Sequence, residues 1–211
     1  MSLIKYQDPK DFVKRIQYGE VKTNKTGGGK SISMSFKAAP GVNSRVMLET
    51  PKLKCPFGLS GYPPDAPNRF TICLQFEDDV FLQLAKALDA CNLAHATKVQ
   101  DAFLGNTKPK KAELIAEKQF TLVKENEGYA PTMRAKLEMT PKLEFKGMIV
   151  DKENNPLTYT NLLGETCDAV GLIEFVGLWM VGGNWGMKVV LHQMRHFPHE
   201  QLNVLMLSDY P

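Results

Sequence analysis

The 211-residue chain reads as one mainly β domain: a small β-barrel with one main inserted helix and a C-terminal β-hairpin. Three observations predict this. Short segments of period-two alternation recur along the chain. One long segment alone, after Asp78-Asp79, carries apolar residues at three- and four-residue spacing. Two long apolar runs, residues 169–181 and 185–197, are separated by Gly182-Gly183-Asn184. No internal repeat or domain boundary is evident, so residues 1–211 form a single domain, with 1–20 as a peripheral N-terminal extension and 198–211 as a C-terminal tail.

In chain order, residues 31–36 alternate small polar with apolar side chains, as a half-buried strand does. Residues 45–48 and 69–76 follow the same period. Asp78 or Asp79 caps the helix, where a carboxylate also suits the positive end of the helix dipole. Phe81, Leu84, Ala85, Leu88, Cys91 and His95 form its apolar stripe, with His95 as a packed histidine rather than a ligand. Pro109 fits a first helical position, predicting a shorter helix through residues 110–117. Residues 120–123, 133–139 and 143–150 read as strands, the last ending at the turn signal Glu153-Asn154-Asn155-Pro156. In the terminal hairpin, Gly177, Gly182, Gly183 and Gly186 let another chain approach the backbone.

Composition excludes several classes. No apolar run reaches the roughly 18 residues of a membrane span, and the charged start carries no apolar signal region. Cys55, Cys73, Cys91 and Cys167 are widely spaced without a CxxC pair, which predicts buried thiols in a reducing intracellular compartment. The net charge of +3 is mild, but its distribution is uneven. Residues 22–54 hold seven bases against one acid, and residues 108–146 hold nine against six, whereas 147–211 hold three against seven. Positive charge gathered in segments can build a basic face on a nearly neutral protein, although lysines solvating exposed strands give the same count.

Signs of catalysis are scarce. Gly27-Gly28-Gly29-Lys30-Ser31 lacks the leading glycine and preceding strand of a phosphate loop. His192 and His196 lie about 13 Å apart on a strand, at ~3.3 Å per residue, too far to share one metal. Asp78-Asp79 is explained by helix capping. The expectation is a non-enzymatic protein without cofactor or metal.

Bases interleaved with aromatics are the positive signal. Lys52, Lys54 and Phe57 lead to Tyr62 and Arg69; Tyr129, Arg134 and Lys136 lead to Lys142, Phe145 and Lys146; Trp179 and Trp185 flank the glycine turn. Cations neutralise phosphates and flat rings stack on unpaired bases, the combination a single strand requires. Aromatics in strands are usually core residues. Trp179, inside an apolar run, is read as core, while Trp185 and Tyr62, beside glycines or prolines, are read as exposed platforms.

Two stretches carry a resemblance. Thr50-Pro51-Lys52-Leu53-Lys54-Cys55-Pro56-Phe57-Gly58 precedes a strand and the capped helix, and Trp179-Met180-Val181-Gly182-Gly183-Asn184-Trp185-Gly186-Met187-Lys188 closes the pattern. Over residues 45–197 the chain resembles single-stranded-DNA-binding proteins encoded by large DNA viruses. The resemblance implies an oligonucleotide-binding (OB-fold-like) barrel that coats exposed strands in replication, recombination and repair, in host cytoplasm or nucleus if viral. It places Lys52, Lys54 and Phe57 in the segment before the strand, Arg134 and Lys136 on the basic strand, and Trp185 and Lys188 in the hairpin. Together with the interleaved bases and aromatics, the expected groove is lined by Lys52, Lys54, Arg134, Lys136, Lys142 and Lys188, with rings from Phe57, Tyr62, Tyr129 and Trp185. Single-stranded DNA is the expected partner, with replication proteins and self-association on DNA as further ones. The C-terminal residues depart from the acidic tail such proteins use to recruit partners, Asp209 standing alone. Two rivals remain: a virion or scaffold protein assembling through its hairpin, and an RNA-binding regulator.

Overall fold

The structure, a computed structural model, describes residues 8–25, 27–61 and 69–199. Helix α1 (Pro9–Lys14) leads into β1 (Ile16–Thr23), β2 (Lys30–Ala39), β3 (Val42–Ser44) and β4 (Val46–Glu49). Next come β5 (Leu53–Cys55), β6 (Leu59–Gly61) and β7 (Phe70–Gln75), then α2 (Asp79–Lys98), α3 (Gln100–Leu104) and α4 (Ala112–Ala116). β8 (Gln119–Phe120), β9 (Lys124–Asn126), β10 (Tyr129–Leu137), β11 (Met148–Val150) and β12 (Pro156–Leu157) precede the hairpin of β13 (Cys167–Val181) and β14 (Asn184–Pro198).

Pairing closes five of these strands into a barrel. β13 pairs with β5, β5 with β7 and β7 with β10, all antiparallel. β10 then runs parallel to β14, and β14 returns antiparallel to β13. This closed five-stranded order is an OB-fold-like barrel, with the main helix inserted between its second and third strands.

The terminal hairpin is longer than the barrel needs. Each strand has 15 residues. The free edge of β13 takes β5, β4 and β2 in turn, while that of β14 takes β8, β10 and β11. The tip half of the hairpin therefore extends past the barrel, where β1, β2 and β8 pair along it as a tip sheet continuous with the barrel strands. Gly177 makes this possible: a Cβ there would lie 2.1 Å from the Ile32 carbonyl oxygen of β2.

Two cores follow from the two halves. In the barrel, Leu53, Ile72, Leu74, Met133, Ala135, Ile173 and Leu191 pack with Phe81, Leu84 and Leu88 of α2. Under the tip sheet, Ile32, Leu178, Met180 and Trp185 pack on Ala96, Phe103 and Ile115. The 20-residue α2, about 30 Å long at ~1.5 Å per residue, is long enough to serve both.

Asp78 caps α2 by accepting the Phe81 N–H at 2.6 Å. The apolar stripe drifts, however. Beyond Leu88 the buried positions are Asn92 and Ala96, not Cys91 and His95. Asn92 Oδ1 accepts the Tyr18 hydroxyl at 2.7 Å, and the half-buried His95 ring stacks on Tyr18 at 4.0 Å. The shift lets the helix meet β1, which the sequence pattern did not reveal.

Other expectations are corrected. Residues 8–20 are docked, not peripheral: Phe12 is 2% exposed and packs on Phe36, and β1 pairs with β2. Only Phe120 of 120–123 is strand, because Asp89 captures the next backbone amides. Of residues 143–150 only β11 is strand. Thr140 Oγ1 accepts the Lys142 and Glu144 N–H groups and Leu143 has φ 62°, so the chain turns there. The short second helix contracts to α4.

Candidate nucleic-acid interface

Residues directly opposite one another on neighbouring strands share a face, and a strand returns to that face every second residue. Lys54 pairs with Gln75, and Gln75 with Thr132. Arg134 and Lys136 follow Thr132 on the same side, opposite Cys73 and Thr71. Lys136 pairs with Val190 across the parallel junction, which puts Lys188 on this side too. Ile72, Leu74, Met133, Ala135 and Leu137 point the other way, into the core. Lys54, Arg134, Lys136 and Lys188 therefore stand on one continuous outer face across β5, β7, β10 and β14.

Some of these amines have acidic neighbours. Lys54 Nζ is 3.7 Å from Glu77, and Lys188 Nζ is 2.8 Å from Glu138. The Lys188 hydrogen bond holds the Glu138 carboxyl below its usual range. Lys52 Nζ lies 3.1 Å from Asp168 and 4.9 Å from the Phe197 ring centroid. Burial alone would raise the Asp168 carboxyl, but hydrogen bonds from His199 and Lys52 hold it low. Exposed ion pairs of this kind are worth about 0–1 kcal/mol, so a phosphate can compete for the amines. Among the described residues Arg134 and Lys136 have no acidic partner within ion-pair distance, and both are exposed.

The rings divide. Phe57, in the turn after β5, is 63% exposed, and Tyr129, at the start of β10, is 82% exposed. Lys142 is exposed in the turn that follows Thr140. Tyr62 lies outside the described residues, as does Asp209. Trp185 is a correction: it is fully buried, edge-on to Phe103, with its indole Nε1 donating to the Ile115 carbonyl at 3.0 Å. It pairs with Met180 on the inward side of the hairpin. Trp179, read as core, pairs instead with Gly186 on the outward side and is only half-buried.

Phe120 and Lys124 were missed. Phe120 is 60% exposed, and its ring centroid lies 5.7 Å from that of Trp179. Beside it opens a cleft of about 450 Å³, lined among others by Phe120, Lys124, Arg134 and Met187. The segment is held by Asp89, whose carboxylate accepts the Leu122 and Val123 N–H groups at 2.8 and 3.1 Å. Burial pushes the Asp89 carboxyl up to about 6, against the two hydrogen bonds. In sequence, Phe120 stood in an apolar run indistinguishable from a core strand.

His192 and His199 are occupied separately: His192 Nε2 is 2.7 Å from Glu174 and His199 Nε2 is 2.8 Å from Asp168. Among the described residues no three His, Cys, Asp or Glu side chains gather as a metal site.

No family model matches the sequence, and no curated protein matches it. Among solved structures, the chain is similar to the single-stranded DNA-binding protein from bacteriophage Enc34 in complex with ssDNA. The TM-score is 0.48 at 10% identity, over 88% of this chain and 97% of that one. It is also similar to gp2.5, a single-stranded DNA-binding protein encoded by bacteriophage T7. There the TM-score is 0.48 at 12% identity, over 75% of this chain and 89% of that one. Both of these structural neighbours are phage single-stranded-DNA-binding proteins.

Proposed function

We propose that this chain binds single-stranded DNA without sequence preference and coats exposed strands during replication, recombination and repair, as a non-enzymatic protein. One observation carries the reading. Lys54, Arg134 and Lys136 share the outer face of the barrel's first three strands, and two large rings, Phe57 and Tyr129, stand exposed at the ends of those strands. Barrels of this class bind oligonucleotides on the face of their second and third strands, here β7 and β10. The cations supply a track for phosphates, and the rings offer faces that stack on any base.

Phosphate neutralisation makes binding fall steeply with salt. Binding along a lattice is commonly cooperative, so self-association on DNA and contacts with replication proteins belong to the same proposal. The test is oligo-dT binding by the full chain at two salt concentrations, beside duplex DNA and oligo-U of equal length. Tight, salt-sensitive binding of oligo-dT with weaker duplex binding supports the reading. A preference for oligo-U favours an RNA partner through its 2′-hydroxyls. Assembly without any nucleic acid favours a scaffold.

A further inference from the structure

The tip sheet carries a row of residues that the barrel face does not use. Lys22 pairs with Ser31, Ser31 with Trp179, Trp179 with Gly186 and Gly186 with Phe120. Paired residues share a face, so these five lie in one line across β1, β2, β13, β14 and β8. Four inter-strand steps of ~4.8 Å make the line about 19 Å long. Lys22 is exposed at one end and Phe120 at the other. Ser31 and Gly186 leave Trp179 standing between low neighbours. Gly186 is needed for this: a Cβ there would lie 2.8 Å from the Phe120 carbonyl oxygen and 3.2 Å from Trp179 Cζ2. With no side chain between them, the two rings approach across the glycine.

The row continues the barrel face. Gly186, Lys188 and Val190 are successive outward positions on β14, and Val190 sits opposite Lys136. An apolar ring on a solvent-facing strand is usually covered, yet Phe120 is 60% exposed. It borders the roughly 450 Å³ cleft whose rim also holds Lys124 and Arg134. That volume falls within the roughly 300–1,000 Å³ of small-ligand sites. A flat apolar face flanked by cations matches one ligand chemistry: an unpaired nucleobase with its neighbouring phosphates.

We infer that Phe120 and Trp179 form a base-stacking shelf on the tip sheet, with Arg134, Lys124 and Lys22 as its phosphate contacts, extending the strand's path off the barrel. The inference rests on the proposed single-stranded-DNA reading and adds a second subsite to it. The stacked base enters the cleft beside Phe120, and the backbone follows the row towards Lys22.

The test compares wild type, Phe120→Ala and Phe120→Tyr as full chains on labelled oligo-dT and on an abasic oligomer of equal length. Phe120→Ala weakens oligo-dT binding about ten-fold and leaves abasic binding unchanged. Phe120→Tyr restores the affinity, which separates stacking from misfolding. Equal loss on both oligomers, or no loss on either while wild type binds oligo-dT, overturns the shelf and leaves the barrel reading standing. Failure of wild type to bind oligo-dT overturns both.

Discussion

Trp179 and Trp185 lie on the two strands of one hairpin with opposite fates. Trp185 is sealed against Phe103 with its N–H bonded, while Trp179 meets solvent beside Phe120. Their local surroundings pointed the other way, since Trp185 stands beside glycines and Trp179 inside an apolar run. What decides is register: Met180 pairs with Trp185 and Trp179 with Gly186, so one pair faces the helices and the other does not. A ring's exposure on a hairpin is a property of pairing parity more than of neighbouring residue types.

The largest expected effect sharpens this contrast. Trp185→Ala destabilises the fold by about 3–5 kcal/mol, the usual cost of emptying a buried aromatic site, read by urea unfolding. Trp179→Ala costs much less stability and instead weakens oligo-dT binding. Next is Gly186→Ala, whose Cβ forces the Phe120 segment aside and costs about 1–3 kcal/mol by overpacking. It also lowers affinity for oligo-dT; unchanged stability and affinity would show that the rings do not need the glycine between them.

Removing the α2 cap with Asp78→Ala costs about 1 kcal/mol, which would appear as a lower urea midpoint with DNA affinity retained. The pH behaviour of Asp89 is the subtlest effect. Its carboxyl is raised from 3.8 to about 6 in the folded state. The stability it contributes is therefore fully present below about pH 3.8 and lost as pH rises through about 6. Urea midpoints of wild type should fall relative to Asp89→Asn across this window. A constant difference between the two proteins would show that burial does not govern this carboxyl.

Much of the scaffold was legible because its signals are local. The Gly182-Gly183 break between apolar runs marks the β13–β14 hairpin, and Asp78 ahead of Phe81 and Leu84 marks α2. The site was legible in its residue types and less so in its geometry. Lys54 and Arg134 meet only through β7, a pairing between segments remote in sequence. Trp179 and Phe120 depended on register, where a bulge between Phe175 and Gly177 shifts the parity of β13. The docking of residues 8–20 depended on Phe12 reaching Phe36, which no local pattern encodes.

The proposed strand path depends on Arg134 and Lys136 contacting phosphates from the outer face of β10. Replacing both with Ala and measuring oligo-dT affinity against salt tests this most directly. The slope of log affinity against log salt should fall by about two, one for each lost phosphate contact, with the urea midpoint nearly unchanged. An unaltered slope and affinity in a folded double variant would contradict it and move the strand off this face of the barrel.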